Sequence, residues 1–84
     1  MVSKWELRGK ILSSSQRQKI LLKLSEVPRT PTELSKDVGI KLSHVSRALG
    51  ELTELGLVEC ITPFQRKGKH YSITKLGKNI LKML

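Results

Sequence analysis

Ser43, Ser46 and Arg47 fall within five consecutive positions of the stretch KLSHVSRALGELTELGLV, and their side chains suit the reading of a base edge. A guanidinium can pair with both acceptors of a guanine, a contact worth about 1–3 kcal/mol in discrimination. Val45, Leu49 and Leu52 recur at i, i+4 and i+7, which marks an inward helical stripe, with Ala48 allowing close helix approach. The two serines and Arg47 then share the opposite face, in the N-terminal half that meets base edges when a helix enters a major groove. A second cluster follows in Gln65, Arg66, Lys67 and Lys69, set in a turn between Pro63 and the residues after Gly68. Long cations on a turn suit phosphates, or an arginine in a narrow minor groove. For both clusters the bland reading is a solvated surface.

Other chemistry has little to stand on. The chain has no Gly-rich phosphate loop, paired-carboxylate motif or nucleophile elbow, and 84 residues leave little room for a substrate pocket. These features predict no enzyme. Cys60 is the only cysteine, and His44 and His70 the only histidines, so neither a metal site nor a cofactor is expected. Cys60 falls in an expected strand and reads as a buried structural thiol. Glu51 and Glu54 read as the solvated face of their helix.

The elements that must position these residues can be read from start and stop signals. Ser3 and Glu6 have capping-box spacing, which predicts a short helix to Leu12 with Trp5 as an anchor to the core or to a partner subunit. Ser13 with Gln16, or Ser15 with Gln18, can open the next helix, whose stripe is Ile20, Leu21 and Leu24 and which Pro28 ends. Thr30 as cap, Pro31 at the first helical position and Glu33 three residues on make a stronger start. That helix carries Leu34 and Val38 and stops at Gly39, with Ile40 as an apolar plug. A further helix runs from near Leu42 to near Gly56. Strands over 57–61 and about 70–73 flank the basic turn, and Thr74 caps a last helix carrying Leu76, Ile80, Leu81 and Leu84.

Charge agrees with a polyanionic partner. The net charge is +9 at pH 7. Residues 65–84 hold six cations and no acid, whereas residues 28–64 are nearly balanced. Excess positive charge points to nucleic acid or an anionic membrane. No apolar run approaches the ~20 residues of a membrane span, and the first fifteen residues lack the apolar core of a signal peptide. A cytoplasmic, nucleoid-associated protein with no membrane partner is expected.

With these elements in order, the chain resembles the winged helix-turn-helix transcriptional regulators of the broad MarR/ArsR-like kind found in archaea and bacteria. The matching residues are TPTELSKDVGIKLSHVSRAL for the helix-turn-helix, ELGLVE entering the wing and YSITKLGKNIL leaving it. The resemblance covers about Ser14 to Leu84. It implies an α+β, mostly α fold: a three-helix core, a two-stranded β wing and a C-terminal helix. The expected division of a single domain 1–84 is an N-terminal extension 1–13, helix-turn-helix 30–56, wing 57–73 and C-terminal helix 74–84. It also implies that recognition helix 42–56 enters the major groove of double-stranded DNA, with Leu42, Ser43 and Arg47 reading bases. Thr32, Lys41, His44 and Ser46 would lie at phosphates, and Gln65, Arg66, Lys67 and Lys69 would contact DNA from the wing. The thiolate cluster of ArsR-type metal sensors is missing.

Some alternatives stay open at this level. Leu42 fits the core stripe as well as it fits a thymine methyl, and His44 suits a phosphate or an exposed position without a role. Lys41 stands where many relatives place a Ser or Thr cap, so either Ser43 caps from further in or the helix start is less fixed until DNA arrives. The last helix offers more apolar surface than a small core absorbs. Trp5, Leu76, Ile80, Met83 and Leu84 are therefore expected at a homodimer interface. The expected function is a sequence-specific DNA-binding regulator, of the repressor kind. A protein-interaction module of transcription machinery and a non-specific architectural DNA protein are the alternatives.

Overall fold

A computed structural model of the chain describes residues 3–84; Met1 and Val2, the first two positions of the expected 1–84 domain, lie outside the described residues. Five helices and one hairpin follow in the order α1 (Lys4–Leu12), α2 (Ser15–Glu26), α3 (Pro31–Val38), α4 (Leu42–Glu54), β1 (Val58–Cys60), β2 (Tyr71–Ile73) and α5 (Lys75–Lys82). The mostly helical α+β architecture agrees with the expected one.

Local chemistry explains most of the boundaries. Ser3 accepts from the Glu6 N–H and opens α1. Thr30 and Glu33 form a complete capping box with Pro31 at the first helical position of α3. Gly39 closes that helix at φ 68°, a left-handed conformation that costs glycine little. Helix α2 departs from expectation in detail: Ser14, rather than Ser13 or Ser15, is the cap, its hydroxyl accepting from the Arg17 N–H at 3.3 Å. Helix α4 has Lys41 at its capping position and no side-chain cap there, and Ser43 makes no capping bond from within.

The core gathers one stripe from each helix. Leu7 and Ile11, Ile20, Leu21 and Leu24, Leu34, Val45, Leu49 and Leu52, and Ile80 all bury against Leu57, Val58 and Ile73 of the hairpin. Helix α2 is the central element, packed against α1, α3, α4, α5 and β2.

The hairpin is antiparallel, pairing Val58 with Ile73, Glu59 with Ser72 and Cys60 with Tyr71. A third element sits on its other edge. Arg29, between α2 and α3, exchanges both backbone hydrogen bonds with Tyr71, at 3.1 and 2.9 Å. The hairpin is thereby tied to the start of α3 rather than hanging from its own stem. Cys60 is only half-buried, not the enclosed thiol expected, because the sheet ends at Tyr71 and leaves the strand's last residue at its rim.

Candidate nucleic-acid interface

Helix α4 divides its outward surface into three flanks. With Val45, Ala48, Leu49 and Leu52 buried, the 100° step of a helix sends Ser43 and Arg47 straight out, Leu42 and Ser46 to one side, and His44 and Glu51 to the other. Ser43, Ser46, Arg47, His44 and Leu42 are all exposed. Leu42 is 47% exposed, which removes the core alternative for it.

The Leu42 and Ser46 flank faces the hairpin loop. Thr30, Pro31 and Thr32 at the start of α3, Leu42 and Ser46 of α4, and Arg66, Lys67, Lys69 and Tyr71 of the hairpin line one concavity of about 590 Å³. Three cations, four hydroxyl-bearing residues and no carboxylate surround it. Six of the residues expected at DNA therefore converge here: Thr32, Leu42, Ser46, Arg66, Lys67 and Lys69. Gln65 is exposed but lies outside the concavity, its N–H closing a turn onto the Thr62 carbonyl at 3.2 Å.

On the other flank a smaller hollow of about 260 Å³ is lined by Ser14, Gln16 and Arg17 from the start of α2 and by His44, Arg47, Ala48 and Glu51 of α4. Arg17 and Gln16 were not among the residues expected at the interface. Nothing in the local pattern of α2 reveals that its first turn comes alongside α4. Glu51 is not free on the solvated face as expected: its carboxylate pairs with the Arg17 guanidinium.

The frame that holds α3 on α2 and fixes the turn before α4 is polar as well as apolar. Arg29 holds Asp37 of α3 at 2.5 Å and reaches the Lys23 carbonyl of α2 at 3.4 Å. Ser35 donates to the Ile40 carbonyl across the turn at 2.5 Å. Glu33 accepts from the Thr30 backbone N–H and stands beside its hydroxyl, bonds that favour the ionised carboxylate and lower its pKa. Lys41 precedes α4 as an exposed cation, with the first-turn N–H groups of α4 uncapped behind it.

The residues expected at a dimer interface separate. Ile80 is fully buried within its own chain, because α5 lies across α1 and α2 and spends that side chain on the core. It is not available to a second copy. Leu76 and Met83 are half-buried and pack on the same core. Trp5 is 73% exposed, so it does not anchor α1 to the core; Arg8 lies over its ring at 6.0 Å. Leu84 also remains exposed.

Among the described residues there is no group of three His, Cys, Asp or Glu side chains placed to hold a metal ion, and no helix long and apolar enough to cross a membrane.

The family model described as the HVO_A0261 N-terminal domain matches residues 8–84. No curated protein matches the sequence. Among solved structures, the MarR family transcription regulator SP03579 is 30% identical with a TM-score of 0.73, over 82% of this chain and 47% of that one. FabT from Streptococcus pneumoniae, solved in complex with DNA, is 25% identical with a TM-score of 0.72, over 83% of this chain and 50% of that one. The homodimeric winged helix-turn-helix DNA-binding domain of Mb0332 from Mycobacterium bovis is 25% identical with a TM-score of 0.72, over 95% and 70%. The chain spans about half the length of the first two.

Proposed function

The chain belongs to the HVO_A0261 N-terminal domain family and has the winged-helix fold of MarR- and ArsR-family regulators, and on that premise we propose that it binds double-stranded DNA sequence-specifically to regulate transcription. One observation carries the reading: the concavity in which the start of α3, the side of α4 and the cationic hairpin converge without a carboxylate. A surface of that charge and curvature beside an exposed polar helix face fits a phosphate strand flanking a major groove. Ser43 and Arg47 are the base readers, with Leu42 beside them for a thymine methyl. Thr32, Lys41, His44 and Ser46 take phosphates. Gln65, Arg66, Lys67 and Lys69 follow the backbone or the adjacent minor groove.

No catalytic step and no metal enter this role. It belongs to a cytoplasmic protein working on the nucleoid, in the repressor sense, and it needs two copies. Trp5 and Leu84, exposed at the ends of neighbouring helices, with half-buried Met83 at the same end of α5 and half-buried Leu76 at its start, supply apolar surface for a two-fold contact. The homodimeric Mb0332 domain supports that arrangement. Paired recognition helices would then meet half-sites about one helical turn apart.

The test is selection of bound duplexes from a random pool at about 150 mM salt, which suppresses purely electrostatic binding. A convergent motif is expected, as two inverted copies. Retained DNA without a motif would instead mean architectural binding. No retained DNA would overturn the reading in favour of a protein-interaction module.

A further inference from the structure

Phe64 is the only phenylalanine of the chain, and it stands 98% exposed in the hairpin loop. Its position is built. Ile61 donates to the His70 carbonyl at 2.9 Å, and the Thr62 hydroxyl accepts from the His70 N–H at 2.8 Å, which closes the base of the loop. The Gln65 N–H bonded to the Thr62 carbonyl then folds Thr62-Pro63-Phe64-Gln65 into a tight turn with the ring at its corner. Pro63 stiffens the approach to that corner. An aromatic ring left in water forgoes the free energy of its burial, so the position favours a partner that covers it.

The surroundings identify the partner. Arg66, Lys67 and Lys69 follow within five residues, and no Asp or Glu occurs from Cys60 to Leu84. An apolar protein surface would have to desolvate those cations beside the ring, whereas a polyanion neutralises them. We propose that Phe64 is an apolar wedge that enters the DNA minor groove at the wing tip, its ring packing on sugars and inserting at a base step while the cations hold the flanking phosphates. This assignment rests on the DNA-binding reading of the fold. It adds a contact that charge alone does not supply, one sensitive to groove width and to the stiffness of the base step.

Two variants test it, with the pool of duplexes retained by the wild-type chain as probe. F64A should keep the fold and the salt dependence of binding, since every cation remains, yet lose about tenfold in affinity. In the F64W chain, the emission beyond that of Trp5, taken against the wild-type chain, reports from the wing tip. It should be quenched by stacking when the pool is added, and iodide should no longer reach it. Unchanged affinity in F64A, or a wing-tip tryptophan still open to iodide at saturating DNA, would overturn the wedge while leaving DNA binding intact. Altered sedimentation of DNA-free F64A at unchanged affinity would overturn it too, in favour of a contact between proteins. A wild-type chain that retains no duplex fails before either variant is made, and that failure belongs to the DNA-binding reading itself.

Discussion

Arg17, in the first turn of α2, and Glu51, in the last half of α4, form an ion pair that joins the two helices at the edge of the surface proposed to face DNA. Arg17 also donates to the Lys10 carbonyl of α1 at 3.2 Å, so one guanidinium gathers three helices. The pair has an electrostatic consequence. Glu51 lies one turn beyond Arg47, where a bare carboxylate would repel a phosphate strand, and Arg17 cancels that charge.

Removing the two partners should therefore have unequal effects. R17A leaves Glu51 uncompensated and is expected to weaken DNA binding several-fold, whereas E51Q leaves it equal or stronger. Stability should change little in either case. Both side chains are a quarter or more exposed, and a double-mutant cycle by urea denaturation should give a coupling below about 1 kcal/mol. Equal losses of DNA affinity in R17A and E51Q would contradict the cancellation.

Gly77 makes the opposite kind of prediction, about packing. It lies where α5 crosses the backbone entering β1, with Thr74 donating from its backbone to the Leu57 carbonyl at 3.0 Å and from its hydroxyl to the Gly56 carbonyl at 2.7 Å. A Cβ at Gly77 would overlap the Leu57 carbonyl oxygen and stand 2.6 Å from Ile73 Cγ1. G77A should destabilise the chain by about 1–3 kcal/mol even though alanine is the better helix former. At Gly9, also in a helix interior, a Cβ meets nothing within 4 Å. G9A should stabilise by up to about 1 kcal/mol, so the two thermal midpoints should move in opposite directions.

These cases show what a sequence discloses and what it withholds. Ser3, Thr30, Gly39 and Thr74 act through bonds to residues three or four positions away, and their roles were legible because the partners lie within reach along the chain. The polar face of α4 was legible for the same reason, since the Val45, Leu49 and Leu52 stripe fixes what lies opposite. Arg29 and Tyr71 pair across forty-two positions, and neither carries a local sign of it. The choice of Ile80 for the core, and of Trp5 for the surface, depends on how α5 and α1 cross. Apolar type alone does not distinguish burial within a chain from burial between chains.

Acid should loosen the first turn of α3. Glu33 is held ionised mainly by the hydrogen bond from the Thr30 backbone, with the Thr30 hydroxyl contributing next, so its folded-state pKa lies below the ordinary carboxylate value. A depressed folded pKa means stability that is present above the unfolded pKa and lost as pH falls through the folded one. The midpoint difference between wild type and E33A should be largest near neutral pH and vanish below the carboxylate range. A difference that persists unchanged in acid would mean that packing, not ionisation, accounts for the effect.

Base reading and phosphate binding should separate between Arg47 and the hairpin. R47A should cost about 1–3 kcal/mol at one base-pair position of the selected motif and relax the preference there. The triple change R66Q/K67Q/K69Q should weaken all sequences alike and lower the salt slope by about 3, close to one per lost phosphate contact. If the triple change leaves the slope untouched, the hairpin cations are not at phosphates.

Lys41 sets stability against function at a single position. It precedes α4 without capping it, leaving the first-turn N–H groups of the helix unpaired by any side chain. A serine there supplies the missing acceptor, and K41S should stabilise the fold by about 0.5–2 kcal/mol. The same change deletes a cation from the end of the helix proposed to face DNA. Affinity should fall several-fold and the salt slope by about 1. A lysine that merely tolerates its position would give the gain without the loss, whereas a phosphate contact gives both, so urea denaturation and a salt titration of this one variant decide between them.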